Sequence, residues 1–206
     1  RDAQESRGLG DVYKRQFFDY ITKIDFSILY YIQEHLRCSF LDFLMPLFGF
    51  IQEGGMVWIV ISIILICFKK TRYCGFAILL AMGIDTLITE FAIKNIVCRV
   101  RPCNIDFSIK MLVSRPDSYG FPSNHSASAF AAATALLVTL KKKRWAILGY
   151  ILATAIALSR LYVFVHFPSD VLVGAIVGSL IALLVCFLMK KTGFKEFLIH
   201  KNIIER

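Results

Sequence analysis

The chain has 206 residues, 57% of them apolar and 14% aromatic, with a mean hydropathy of +0.62. A soluble domain carries about 45–50% apolar residues, so this excess argues against an ordinary water-soluble globule. The net charge of +9 would suit nucleic acid, but the basic residues form short clusters between apolar runs, with no basic stripe interleaved with stacking aromatics. Nucleic acid is therefore excluded as a partner, and a membrane surface takes its place.

Residues 1–16 are polar and lack the apolar region of a signal peptide. The stretch from Asp11 to Gln16 resembles a translated transposon-adapter end from sequencing libraries. Residues 1–16 are therefore expected to be an assembly artefact or a disordered leader. Residues 17–36 place Ile24, Phe26, Ile28, Leu29 and Ile32 at roughly helical spacing, which predicts an amphipathic helix lying in the membrane interface.

An apolar stretch, 40–51, follows and is broken at Gln52, Glu53, Gly54 and Gly55. The break reads either as a kink in one long helix or as the tip between a half-helix and a full span. Five apolar segments then run over 55–68, 73–93, 123–140, 145–165 and 169–189. Most approach the ~20 residues that cross a ~30 Å hydrocarbon core. The expected fold is all-α: a polytopic helical membrane bundle of five spans, or six with one further upstream. It forms a single domain over 17–190, followed by a cytoplasmic tail, 191–206.

The loops orient the bundle. Lys69, Lys70 and Arg72 follow the first span, Lys141 to Arg144 the third, and Lys190, Lys191 and Lys195 the fifth. All fall on one side, which the positive-inside bias makes cytoplasmic. The segments 94–121 and 166–168 then face the opposite side. Six cysteines show no CxxC pair and no metal spacing. Cys67 and Cys186 read as small hydrophobes; Cys98 and Cys103 bracket a functional segment, and a bridge between them would need an oxidising compartment.

Three stretches meet on that second face. Lys94 ends the second span, and Arg101 lies where Pro102 turns the chain; alone, such cations read as snorkelling anchors. Pro122, Ser123, Asn124 and His125 open the third span. Pro before small residues marks a helix N-terminus, whose free N–H groups and dipole favour an anion. Arg160 and His166 are expected in the last part of the fourth span, with Pro168 breaking the helix and Asp170 in the first turn of the fifth. Charges at such depth mark a site with a partner, and Asp170 lies within reach of His166 as an acid that would fix its tautomer. The bland alternative for this last stretch is a structural ion pair.

Taken together, Lys-x6-Arg-Pro, then Pro-Ser-x-His, then Ser-Arg-x5-His-x3-Asp resemble the three-part signature of the type 2 phosphatidic acid phosphatase family. The resemblance runs from Lys94 to Asp170 in the right order, and the helices extend it over most of residues 40–190. It implies a phosphatase that needs no metal or other cofactor and acts on a lipid phosphate in the membrane. By the same resemblance His166 attacks phosphorus, Asp170 orients it and His125 protonates the leaving oxygen. Lys94, Arg101, Ser123, Asn124 and Arg160 hold the phosphoryl oxygens. The compact chain leans towards undecaprenyl diphosphate as substrate, with phosphatidylglycerol phosphate and phosphatidic acid as alternatives. Phosphoryl transfer to a second lipid, or a non-enzymatic anion site, are the competing functions. The family usually has Gly where this chain has Asn124, which reads as a tolerated variant.

Other charges are weighed singly. Glu90, four residues before Lys94, is expected to pair with it. Asp85 lies deeper in the same span, where an unpaired charge is costly. Arg99 and Arg115 read as solvated loop charges. The loop 103–119 carries Ile105, Phe107, Ile109, Met111 and Leu112 and is expected to dip into the interface.

Overall fold

The computed structural model describes residues 20–201, so the expectation for residues 1–16 lies outside the described residues. Every regular element described is helical. Helix α1 covers residues 20–35, α2 Ser39–Ile51 and α3 Met56–Cys67. Helix α4, Arg72–Thr86, passes into a π-helical stretch, Leu87–Ile93, and then into the single turn α5, Lys94–Val97. The remainder are α6 Asn124–Thr139, α7 Lys143–Tyr162, α8 Pro168–Lys191 and α9 Phe194–His200.

Three helical segments, Arg72–Asn104, Lys143–Tyr162 and Pro168–Lys191, are long and apolar enough to cross a membrane. The pair Ser39–Ile51 and Glu53–Cys67, bent by 52°, makes a fourth if it is one broken span. The bend falls at the expected break. Gly54 (φ 59°) and Gly55 (φ 76°) both adopt the left-handed conformation, which costs glycine nothing and other residues about 1–2 kcal/mol.

Helix α6, expected as a span in its own right, has only 16 residues. It occupies the centre of the bundle, and its alanines from Ala127 to Ala135 are buried by neighbouring helices. Helix α8 lies directly against it. A Cβ on Gly178 would come within 1.9 Å of the Ala127 carbonyl oxygen, and one on Gly174 within 2.6 Å of the Ser123 oxygen. This Gly-x3-Gly spacing is the small-residue seam that lets membrane helices approach backbone to backbone.

Helix α1 has the two faces its spacing predicts. Asp25, Phe26, Leu29 and Ile32 turn inward, while Tyr20, Ile24, Ile28 and Tyr31 are exposed. At the other end of the chain, Phe194 of α9 packs near Tyr73 and Phe76 of α4. All six cysteines are free.

Candidate active site

The site is built where four chain segments end together. Helix α4 and its π-helical continuation deliver Glu90 and Lys94. A π-helical stretch inside an α-helix is often found at functional positions. The Lys94 ammonium, 5% exposed, is held by Glu90 at 2.6 Å, the pairing expected from their spacing. Helix α6 begins at Asn124 with Ser123 as its N-cap residue, and Ser123 N–H donates to the Asp170 carbonyl at 3.1 Å. The start of α6 is thereby tied to the start of α8.

Helix α7 ends at Tyr162, so His166 does not lie in its last turns as the sequence suggested. It sits in the turn before α8 instead. Phe164 turns the chain there with φ 62°, unusual for a residue with a Cβ. The rings of Phe26 and Tyr30 on α1 hold it, with centroids 6.5 and 6.2 Å away. Pro168 then starts α8, and the Asp170 carboxylate accepts the Phe167 N–H at 2.9 Å.

The ends enclose a cavity of about 600 Å³ lined by Lys94, Arg101, Asn124, His125, Arg160 and His166, with the α2–α3 bend as one wall. Arg101 Nη1 lies 2.8 Å from His166 Nε2. A guanidinium has no acceptor, so Nε2 must be the accepting, unprotonated nitrogen. The proton is then on Nδ1, which faces Asp170 Oδ2 at 3.6 Å. Burial, opposed by Asp170 and aided by the Arg101 charge, pushes His166 down to about 4, so the ring is neutral near pH 7 and its Nε2 lone pair is held by Arg101 at the cavity wall.

Arg160 reaches the cavity across a glycine. Its guanidinium lies flush on Gly49 of α2, where a Cβ would fall 1.7 Å from Nη2. Nε donates to Ser159 Oγ at 3.2 Å, while Nη2 is buried with no hydrogen-bond partner. A buried donor of this kind is costly unless it has something to bind. His125 Nε2 also lacks a hydrogen bond, and Glu53, at the α2–α3 bend, stands 3.7 Å from it.

Residues 74–194 match the model of the PAP2 superfamily. The chain belongs to that superfamily. An undecaprenyl-diphosphatase of Sulfolobus acidocaldarius is 36% identical over 62% of this chain and 61% of its own length, so the chain spans about three fifths of that relative. A lipid A 4'-phosphatase of Bacteroides thetaiotaomicron is 30% identical over 78% of this chain and 75% of the relative. The crystal structure of a transmembrane PAP2 type phosphatidylglycerolphosphate phosphatase from Bacillus subtilis superposes with a TM-score of 0.67 at 27% identity, covering 84% of this chain and 87% of that one. All three proteins just compared with this PAP2 chain are phosphatases by name.

Not every residue assigned from sequence lines the cavity of this PAP2 site. Ser123 is fully buried at the head of α6 and its Oγ accepts from Ser126 Oγ at 3.2 Å. Asp170 is likewise fully buried, behind His166. Asn124 does line the cavity, and its Oδ1 accepts the Thr89 hydroxyl at 3.2 Å. Among the described non-glycine residues only Cys98 and Phe164 have positive φ, so position 124 requires no glycine-like backbone. Asp85 is buried away from the cavity, with neither carboxylate oxygen hydrogen-bonded.

Arg99 and Arg115 are not the solvated charges expected from the loop sequence. Arg99 donates to Asp170 Oδ1 at 2.6 Å and to Asp25 Oδ2 at 2.7 Å, because two buried carboxylates need a shared cation. Arg115 donates to the Cys103 carbonyl and stacks over Phe107, 4.4 Å from the ring centroid. Ile109, Met111 and Leu112 pack inward beside the α7–α8 turn, which leaves Ile105 and Phe107 as the outward members of the five.

The role of Asp25 was missed from sequence, although a signal exists. It falls on the same stripe as Leu29 and Ile32, at i, i+4 and i+7, an acid on the buried face of an amphipathic helix. Gly49 gave no signal, since its importance comes from a side chain far along the chain.

Proposed function

We propose that this chain is an integral membrane lipid phosphatase that works through a phosphohistidine at His166 and needs no metal. The observation that carries the reading is the contact of Arg101 with His166 Nε2 at the cavity wall, which makes Nε2 the unprotonated nitrogen and turns Nδ1–H towards Asp170. In the first step Arg101 passes from Nε2 to a phosphoryl oxygen, Nε2 attacks phosphorus, the P–N bond forms and the P–O bond to the lipid breaks. His125, entering the step as the imidazolium that faces Glu53, gives its proton to the departing oxygen and is left neutral. In the second step water attacks phosphorus, His125 takes a proton from it, the P–N bond breaks and inorganic phosphate leaves. Asp170 steadies the positive imidazole between the steps.

Lys94, Arg101, Arg160 and the N-terminus of α6 are the groups assigned to the equatorial oxygens. Phosphoryl transfer depends mainly on such positioning and charge stabilisation. Ser123 supports the head of α6, and Asn124 contributes its main-chain N–H.

The chain is read as crossing the membrane five times. Helices α4 and α7 both end at the cavity, and α7 starts at the far end of the bundle. The chain must return between them, and α6 is the helix that does so. The far end carries the clusters around Lys69, Lys142 and Lys190 and is assigned to the cytoplasm. The site then opens on the extracytoplasmic surface, where a lipid can present its phosphate while its tail stays in the bilayer.

A polyprenyl diphosphate of the undecaprenyl type is the preferred substrate, supported by the name of the Sulfolobus relative. A phosphatidylglycerol phosphate monoester is the second reading, supported by the coverage of the Bacillus structure. The test is phosphate release in detergent with EDTA present, over undecaprenyl diphosphate, phosphatidylglycerol phosphate, lipid A and phosphatidic acid, for the parent and His166→Ala. Turnover in EDTA that falls at least about 10⁴-fold in His166→Ala is expected. Activity abolished by EDTA, or surviving in His166→Ala, rejects the mechanism. Transfer of phosphate to a second lipid in place of release rejects the hydrolase.

A further inference from the structure

The nucleophile is oriented from outside the cavity. Asp170 faces His166 with Oδ2, and its other oxygen, Oδ1, takes Arg99 Nη1 at 2.6 Å. The Phe167 N–H on Oδ2 and Arg99 on Oδ1 together fix the plane of this fully buried carboxylate. Arg99 is itself fixed from α1. Its Nη2 donates to Asp25 Oδ2 at 2.7 Å and reaches Thr22 Oγ1 at 3.5 Å, and its Cζ lies 4.1 Å above the Phe167 ring.

Asp25 is only 3% exposed and binds in two directions at once. Besides Arg99, it accepts the Ser169 N–H at 3.0 Å and the Ser169 hydroxyl, both in the first turn of α8. On the far side of Asp25, Phe26 meets Phe167 edge-on at 5.0 Å. One helix turn of α1 therefore grips Phe167 and Ser169, the residues on either side of Pro168. Two buried carboxylates share one guanidinium and the positive end of α8. Removing Arg99 leaves two buried carboxylates without their shared cation, and removing Asp25 frees one arm of the guanidinium that fixes Asp170.

We propose that Asp25 and Arg99 are positioning residues of the active site, acting as a chain from Asp25 through Arg99 and Asp170 to the His166 imidazole. Neither touches the substrate. Their work is to hold Asp170 where it can keep the proton on His166 Nδ1 and the lone pair on Nε2 aimed at phosphorus. A displacement of about 1 Å at a reacting centre costs on the order of 100-fold in rate, so the chain is expected to act on turnover rather than on substrate binding. The inference rests on the phosphohistidine reading and adds to it two residues that do not line the cavity.

The experiment measures kcat and KM in detergent micelles, together with the thermal midpoint of unfolding. The proteins are the parent, Asp25→Asn, Arg99→Ala, Arg99→Lys, the Asp25→Asn/Arg99→Ala double variant, His166→Ala and Ser27→Ala. Asp25→Asn keeps the shape and the Ser169 acceptor but drops the charge. A fall in kcat of about tenfold is expected there, and of about 100-fold in Arg99→Ala, with KM within about twofold of the parent. Arg99→Lys keeps the cation but not the fork and should recover part of that loss. The double variant should be no slower than Arg99→Ala alone, since both substitutions break one chain. Ser27→Ala, on the outer side of α1, is the control with parental rate.

Parental kcat in Arg99→Ala, or losses that multiply in the double variant, overturns the inference. So does a rate loss no greater than the unfolded fraction. If His166→Ala is dead in the same assay, the phosphohistidine reading survives that failure. If His166→Ala turns over, both fall. Should Asp25→Asn not fold, the comparison of Arg99→Lys with Arg99→Ala decides alone: equal kcat in the two rejects the guanidinium's positioning role.

Discussion

Around the cavity, Asp25, Lys94, Arg101, Arg160, His166 and Asp170 are all buried, and directed bonds or close backbone contact restrict them. In the middle of the bundle, by contrast, Trp58, Ile78, Ile156 and the alanines of α6 are held by contact alone. In the first region a side chain is placed by the angle and charge of its partner, so a small substitution disturbs geometry before it disturbs folding. In the second, the constraint is volume, and any added carbon is felt as strain. The two regions should therefore fail differently: the cavity end by losing rate at nearly constant stability, the middle by losing stability with rate surviving in the folded fraction.

The largest effect expected beyond the proposed nucleophile is at Arg160. Arg160→Ala should lower kcat/KM by about 10²–10³-fold, the usual cost of deleting a group that stabilises transition-state charge, with a thermal midpoint near the parent's. A midpoint that collapses along with the rate would erase the contrast. Gly178→Val tests the other side. Its Cβ would meet the Ala127 carbonyl oxygen at 1.9 Å, and about 3 kcal/mol or more of stability should go, read as a lowered thermal midpoint with an unchanged rate per folded molecule. Normal stability in that variant would mean that α8 and α6 do not rely on the seam.

Gly49→Ala joins the two behaviours. The new methyl displaces the Arg160 guanidinium, so activity should fall about tenfold or more while the midpoint moves by little. The smallest effect is expected for Asn124→Gly. Losing the bond from Thr89 and adding a glycine at the first turn of α6 should cost about 1 kcal/mol, with phosphatase activity retained. An inactive parent and an active Asn124→Gly would show that this position is not a tolerated variant.

The sequence made some of this legible because the information is local. The Glu90–Lys94 pair follows from helical spacing, and the break at Gly54 and Gly55 follows from two adjacent glycines. The polar residues gathered on one membrane face follow from where the apolar runs stop. The role of Arg99 was not legible, because a loop arginine and a buried bridge between Asp25 and Asp170 look the same until α1 is docked. The end of α7 at Tyr162 was hidden for a similar reason. Val163, Phe164 and Val165 continue the apolar run that a helix would show, and only the tertiary packing of Phe164 under α1 turns them into a loop. The shortness of α6 as a membrane helix was obscured as well, since its alanines read as lipid-compatible when their actual neighbours are other helices.

The bond from Ser123 N–H to the Asp170 carbonyl has a consequence for how the molecule is made. Chain synthesis makes α6 before α8, so the head of α6 exists before its partner in the first turn of α8. Until α8 has docked, the Ser123 N–H lacks the Asp170 carbonyl and the head of α6 lacks that tether. A chain that stops short of α8 would thus lack both the tie between the two helix starts and the carboxylate that stands behind His166.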